Sequence, residues 1–372
     1  MNILIACDKF KASLKALEVC ESIAKGISEN NANTHCVIQA LADGGDGTAA
    51  ILKDALELHS VSIDTVDPIN RSIKAAYHHN KDTAYIELAE ASGISHLTQQ
   101  ELNPMVTHCI GTGILIRKAI DDGFQKIVLC LGGSCTNEAG LSIAYALGFR
   151  FLTLDGQLII PTGGNLSQIA HICPPEANLN IKMIILTDVV NPLYGLHGAA
   201  HIFAAQKGAS DSNVILLDKG LTHIAHLLES DHVSSINNLQ GGGAAGGIAA
   251  GLHVLLGATL TSGFGYLKDV LRIEDKIRQA DLVITGEGYL DDQSFQGKVI
   301  GNMAAICHNM QVPLIAIVGQ TDIDNDTLRG RGIVQVHQVM DFAKDKKEAM
   351  NNAAFYLEKI AANLDLHGKY AI

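Results

Sequence analysis

Leu282-Val283-Ile284-Thr285-Gly286-Glu287-Gly288-Tyr289-Leu290-Asp291-Asp292-Gln293-Ser294-Phe295-Gln296-Gly297-Lys298 is an apolar run fit for one buried strand that stops abruptly in glycines, acids and a lysine. Ligands of open α/β sheets bind just past the carboxyl ends of strands, so chemistry is expected at this point. Carboxylates there can hold a divalent cation, and Gly297-Lys298 can meet a phosphate. Asp8, Asp43 and Asp188 follow other apolar runs in the same way.

Outward from this stretch, the last ninety or so residues alternate strands (Leu282 to Thr285, Leu314 to Val318, Val334 to Val339) with helices near 297–310 and 346–364. The first 65 or so read β-α-β-α-β, with strands from Ile3 and Cys36 and a helix from about Ser13. Such alternation implies parallel strands with right-handed crossovers. The middle differs. Short strands at 72–77 and 83–88 form a candidate hairpin, followed by a helix at 113–121, a strand at 127–131, a helix at 138–147, a strand at 183–186 and a helical stretch at 241–256. The fold class is therefore α/β with two domains. A Rossmann-like three-layer α/β/α domain would comprise residues 1–66 and 281–372, with a second α/β domain, 67–280, inserted in it.

Bulk properties narrow the function. With 372 residues, two cores are expected, and 36 glycines gathered at the ends of apolar runs suit α/β loops rather than disorder. A net charge of −12 argues against a nucleic-acid surface and against anionic lipid. Eight cysteines without a CxxC pair read as reduced cytosolic thiols. The chain opens directly on a strand, without a signal-peptide pattern, and no apolar run reaches membrane-spanning length, so a soluble cytoplasmic protein is expected.

Five loops carry the chemistry. Asp8-Lys9-Phe10-Lys11-Ala12-Ser13 places lysines near a helix N-terminus, where an anion is already favoured, with Ser13 as a candidate cap. Ala42 to Thr48 combines three glycines with Asp43 and Asp46; an acidic turn capping the next helix is its plainer meaning. Gly132-Gly133-Ser134, followed by Thr136 and Asn137, can turn free N–H groups and hydroxyls towards an anion, and is equally a tight turn. Asp188 is a candidate base or metal ligand, while Asn191-Pro192 marks a turn. Gly241 to Gly247 contains GxGxxG, but no strand precedes it, so close helix packing or backbone contact with a ligand is the better account. His197 and His201 lack an HExxH frame, and no Walker A motif exists. Phosphoryl transfer would explain the set together, since it needs a phosphate cradle, carboxylates for Mg2+, lysines and a proton acceptor.

In order and with similar spacing, these segments resemble the bacterial glycerate kinase family, the type that also occurs in glycolate and glucarate breakdown. The family's D-S-F-K-(G/E)-S-L is matched by Asp8 to Leu14, A-D-G-G-E-G-T by Ala42 to Thr48, and I-E-M-A-x-A-S-G-L by Ile86 to Ile94. G-T-G-E-L-I is matched by Gly111 to Ile116, G-G-S-A-T-N-D-G-G by Gly132 to Gly140, and D-V-x-N-P-L-x-G by Asp188 to Gly195. Q-K-G-A, G-A-G-A-A-G-G and T-G-E-G-R-(I/L)-D-x-Q-(S/T)-x-x-G-K fit Gln206 to Ala209, Gly241 to Gly247 and Thr285 to Lys298. Lys9 stands where the family usually has Ser, Cys135 replaces Ala, Glu138 replaces Asp and Ala139 replaces Gly. Tyr289 replaces an Arg that is nearly always present.

The resemblance implies ATP-dependent phosphorylation of glycerate, with 2-phosphoglycerate the usual product, Mg2+ as cofactor and a two-domain fold with a cleft. On that basis Asp188 is the expected proton acceptor with Asp43 second, and Lys11 and Lys298 meet the anions. Gly132, Gly133, Ser134, Thr136 and Asn137 would contact ATP, and Asp8, Lys9, Gly44, Gly45 and Asn191 the substrate. Glu287 and Asp291 would hold Mg2+. The expected assembly is a monomer or homodimer. Two alternatives are an NAD(P)-dependent oxidoreductase using Gly241 to Gly246 and a non-catalytic binding protein of kinase ancestry.

Overall fold

The structure, a computed structural model, describes residues 1–31, 33–229 and 235–366. By internal packing the chain forms two compact units, Met1–Asp43 with Phe264–Ile372, and Gly44–Gly263.

The first unit is built on five parallel strands in the spatial order Gln335–Gln338, Leu314–Val318, Leu282–Thr285, Asn2–Ile5, His35–Ile38. Counted within the unit from the opposite edge, this is the doubly wound order 2-1-3-4-5. Strand alternation explains the layers. Ile3, Ile5, Leu282, Ile284, Ile315 and Ile317 share a core with Val19, Ile23 and Ile27 of the helix Ala16–Asn30 and with Leu357 and Ile360 of the helix Ala353–Ala362. The intervening residues, including Leu4, Val283 and Ala316, face the other way, and the helix Val299–Asn309 packs on the strands Leu282–Thr285 and Leu314–Val318 through its own buried side. The three-layer α/β/α expectation thus describes this unit. The reversal of winding falls beside the pair formed by Asn2–Ile5 and Leu282–Thr285, which puts the crevice of the fold past Ile5 and Thr285.

The second unit holds a six-stranded sheet in the order Thr259–Thr261, Lys182–Leu186, Lys126–Cys130, Thr83–Glu87, Ser72–His79, His59–Val66. The first four strands are parallel and the last two antiparallel. Inward residues such as Tyr77, Ile86, Leu129 and Ile185 pack against Leu115 of the helix Ile110–Asp121 and Ile248 of the helix Ala244–Leu256. A small antiparallel sheet of Arg150–Leu152, Leu158–Ile159 and His171–Cys173 lies over a second core with the helix Asp211–Glu229.

The units part at Asp43/Gly44 and Gly263/Phe264 rather than near 66 and 280. The reason lies in pairing. The third strand does exist, but His59–Val66 pairs along its whole length with Ser72–His79, so it belongs to the second sheet. Other elements are shorter than their sequence patterns suggest. The first helix begins at Ala16, the turn after Gly132 runs on to Gly140 before a six-residue helix, and the stretch 346–364 breaks into Lys346–Asn351 and Ala353–Ala362.

Candidate active site

In the first unit, three strand ends bring carboxylates together. The Asp8 amide donates to the Gly286 carbonyl at 2.9 Å, which couples the loop after Ile5 to the loop after Thr285. The Asp8 carboxylate accepts from the Lys9 amide at 2.7 Å. Burial and the neighbouring Asp43 carboxylate push Asp8 up to about 8, with Lys9 pulling down and Glu287 adding repulsion. Burial also pushes Glu287 up to about 7, opposed by Ser294 and Lys298 and supported by Asp291 and Asp43. Acids crowded into a low-dielectric crevice resist ionising together, which is how a site suited to a cation or a proton is built.

Glu287 Oε1 is out of solvent and has no hydrogen-bond partner among the described residues. Such an atom is under-satisfied until a cation or donor reaches it. Asp291 has a second task, since its Oδ1 caps the turn Asp292–Phe295 by accepting from the Ser294 amide at 3.1 Å. No group of three or more acidic, His or Cys residues among the described ones is arranged to hold a metal. Mg2+ is commonly held by only one or two carboxylates plus phosphate and water, so the unpartnered Glu287 oxygen is chemically suited to it, whereas Asp291 Oδ1 is engaged in its cap.

Lys298 immediately precedes the helix Val299–Asn309, and Asn302 braces that turn by donating to the Gly297 carbonyl at 2.6 Å. The helix N-terminus and the Lys298 charge favour an anion at the same end of the sheet as the carboxylates. Lys11 is exposed, and Gly288 packs beside its amide, where an added β-carbon would lie 3.3 Å from the nitrogen. Ser13 is not a helix cap. Its hydroxyl donates to the Met350 carbonyl at 2.6 Å and pins the loop to the carboxyl-terminal segment. Tyr289 lies in a short strand paired with Gln320–Thr321, and its hydroxyl donates to Asp322.

In the second unit, glycines allow three loops to converge. A β-carbon on Gly44 would meet the Gly263 Cα at 2.5 Å and the Leu186 Cβ at 3.1 Å, and one on Gly132 would meet Gly45. The start of the helix Thr48–Ala55 is capped by an acid distant in sequence. Glu87, at the end of a neighbouring strand, accepts from the Gly47 and Ala49 amides at 3.1 and 2.6 Å. That cap explains a buried acid which sequence spacing left without a role.

Asp188 Oδ1 accepts from the Ser262 hydroxyl at 2.7 Å and the Gly263 amide at 3.0 Å, so the carboxylate is held in one orientation at the end of Lys182–Leu186. The Asn191 amide donates to the His197 carbonyl at 2.9 Å, a brace within its own turn. The glycines of 241–247 are taken up by packing. Gly246 approaches the Thr136 carbonyl so closely that a β-carbon would sit 2.1 Å from it, and the Gly243 amide donates to the Asn191 carbonyl at 2.9 Å. The segment before them is the 3-10 turn Ile236–Asn238, not the strand that a dinucleotide fingerprint needs.

The Gly132–Asn137 turn has a feature missed in the sequence. Gly133 adopts φ +63°, and no acceptor among the described residues takes the amides of Gly132, Gly133 and Ser134. Beneath the turn lies Lys207, buried, its ammonium donating to Ser134 Oγ at 2.8 Å and to the Thr136 carbonyl at 2.6 Å. Burial pulls this lysine down to about 8, against the opposing influence of Cys135, Cys109 and Glu138. The available signal was one lysine in Gln206-Lys207-Gly208-Ala209, and a lysine beside a glycine normally reads as solvated. Asn137 is fully buried, and neither amide atom has a partner among the described residues.

A model of the glycerate kinase family matches residues 3–366. The chain is 36% identical to a glycerate kinase of Bacillus cereus over 98% of its own length and 97% of that protein. It is 35% identical to the glycerate 2-kinase of Escherichia coli, covering 95% and 94% of the two chains. A crystal structure assigned as glycerate kinase 2 from Salmonella typhimurium LT2 superposes with a TM-score of 0.77 at 34% identity, over 99% of each chain. A full-length family match, an α/β fold shared with that structure and acid- and glycine-tipped strand ends agree, and the chain belongs to the glycerate kinase family.

Proposed function

We propose that this kinase transfers the γ-phosphoryl group of ATP to a hydroxyl of glycerate, forming 2-phosphoglycerate in preference to 3-phosphoglycerate, within organic-acid breakdown. The observation that carries the reading is the carboxylate group of Asp8, Asp43 and Glu287 at the reversal point of the first sheet, beside Lys298 and a helix N-terminus. A divalent cation and a polyphosphate are the ligands that such a mixture of acids, lysine and N–H groups suits.

Glu287, with Asp291 assisting, is the residue to hold Mg2+, which would offset the charge of the phosphates. Lys298 and Lys11 bind anionic oxygens, and the amides of Gly132, Gly133 and Ser134 cradle phosphate, with Thr136 and Asn137 completing that turn. Asp8, Lys9, Gly44, Gly45 and Asn191 are proposed on the glycerate side. Asn191 would act by shaping its turn. Asp188, oriented by Ser262 and Gly263, takes the hydroxyl proton as the glycerate oxygen bonds to phosphorus and the β–γ bridging bond breaks, releasing ADP. Asp43 is the second candidate for that proton. The same reading places the enzyme with ATP and Mg2+ in the cytoplasm, as a monomer or homodimer.

A coupled assay with ATP and glycerate, followed by phosphorus NMR of the product, tests the proposal. Stoichiometric ADP and a 2-phosphoglycerate signal are expected. Absence of transfer to glycerate, with transfer to another hydroxy acid, would overturn the substrate assignment.

A further inference from the structure

Lys207 carries a charge into the interior of the second unit, with 2% of its surface exposed. An ammonium is rarely buried without bonds that hold it, and both hydrogen bonds seen here end on one turn, at Ser134 Oγ and the Thr136 carbonyl. The same turn is tied on other sides. The Gly133 carbonyl accepts from the Ile94 amide at 2.7 Å, and the Cys135 carbonyl accepts from the Thr107 hydroxyl at 2.8 Å. Three carbonyls, those of Gly133, Cys135 and Thr136, are therefore fixed by the protein, while the Gly132, Gly133 and Ser134 amides find no acceptor among the described residues. Successive amides without acceptors, held by a scaffold that carries a positive charge, are suited to an anion.

We propose that Lys207 is a positioning residue that, through Ser134 and Thr136, holds the Gly132–Ser134 amides as a cradle for the terminal phosphates of a nucleoside di- or triphosphate. This rests on the kinase reading. Lys207 acts through the turn rather than by touching substrate, and its charge adds attraction from below. A lysine that merely filled space would affect folding alone.

The test is calorimetric titration of ADP into the full chain, with folding checked by circular dichroism. Lys207→Met is expected to weaken ADP at least ten-fold, and Lys207→Gln, which keeps an N–H donor group but not the charge, by a smaller factor. Ser134→Ala should weaken it several-fold, and the Ser134→Ala/Lys207→Met double variant no further than Lys207→Met alone, because both changes act on one element. An unchanged ADP Kd in a folded lysine variant, additive losses in the double variant, or no ADP binding by the unaltered chain would each overturn the proposal. If both lysine variants precipitate, an unchanged Kd for Ser134→Ala overturns it instead. ADP binding that depends on Lys207, without phosphoryl transfer to glycerate, would remove the glycerate reading and leave the cradle standing.

Discussion

A β-carbon on Gly132 would lie 2.6 Å from the Cα of Gly45 and 2.5 Å from the Asp46 nitrogen, so two glycine turns of the second unit are in backbone contact. The end of one strand, Lys126–Cys130, is thereby docked against the turn that opens the unit at Gly44. Neither partner is a side chain that could swing away.

Gly132→Ala is therefore expected to move the turn and to reduce kcat/KM at least ten-fold. Gly133→Ala is a milder change, because the nearest atom to its added carbon is the Ala89 Cβ at 3.6 Å. Its cost is the left-handed backbone at φ +63°, worth about 1 kcal/mol. Steady-state kinetics and melting temperatures on the two variants would separate crowding from backbone strain, and equal kinetic losses would contradict the contact.

Asp8 is pushed up to about 8 by burial and by Asp43, so the folded state holds its proton more tightly than the unfolded chain, whose value is 3.8. Its contribution to stability is fully present below that unfolded value and is lost as pH rises through about 8. Asp8→Asn should melt above the unaltered chain at pH 8, by about 2–4 °C for each kcal/mol relieved, with the gap narrowing at pH 5 and closing towards the unfolded value of 3.8. Calorimetric scans across that range check the sign.

Glu287, the proposed Mg2+ ligand, could bind a cation only as a carboxylate, and burial raises it to about 7. The Mg2+ concentration giving half-maximal rate should fall as pH rises from 6 to 8. Glu287→Gln should raise that concentration at least ten-fold and flatten its pH dependence. Mg2+ titrations at fixed ATP would show both effects, and a normal Mg2+ response in Glu287→Gln would exclude Glu287 as a ligand.

Asp188→Asn keeps an acceptor oxygen for Ser262 and Gly263 but removes the proposed base. Turnover should fall at least 10²-fold while ADP affinity stays within about two-fold. Retained turnover would pass the role to Asp43.

Tyr289, 46% exposed and bonded to Asp322, stands where the family pattern that Thr285 to Lys298 resembles has Arg. Tyr289→Arg should leave the melting temperature nearly unchanged, since exposed substitutions generally cost little. It should lower KM for the anionic acceptor by a few-fold through added positive charge. Rates measured against glycerate concentration decide this, and an unaltered KM would mean the arginine is dispensable here.

The strand ends were legible in the sequence because apolar runs that stop at acids or glycines are a local pattern. Asp8, Asp43 and Glu287 stand together past the first sheet as such ends must when their strands are neighbours. Partners distant in sequence left no such trace. Glu87 reaching the helix that starts at Thr48, Ser13 reaching Met350 and Thr107 holding the Cys135 carbonyl are contacts created by folding. The third strand shows the same limit, for its β pattern was clear while its pairing partner, and so its unit, was not.

By itself, the stretch Leu282 to Lys298 and its counterparts determined that the protein is α/β, and made strand ends the expected place for chemistry with phosphate and a cation as candidate ligands. Hydrophobic period and turn chemistry are local properties, so the sequence expresses them directly. Only the tertiary structure decided that Glu287 is left with an unpartnered oxygen, that Gly132 abuts Gly45, and that Lys207 lies beneath the glycine turn. Burial and distance depend on every element that packs around a group, and these are what make an ordinary glutamate and lysine candidates for a site.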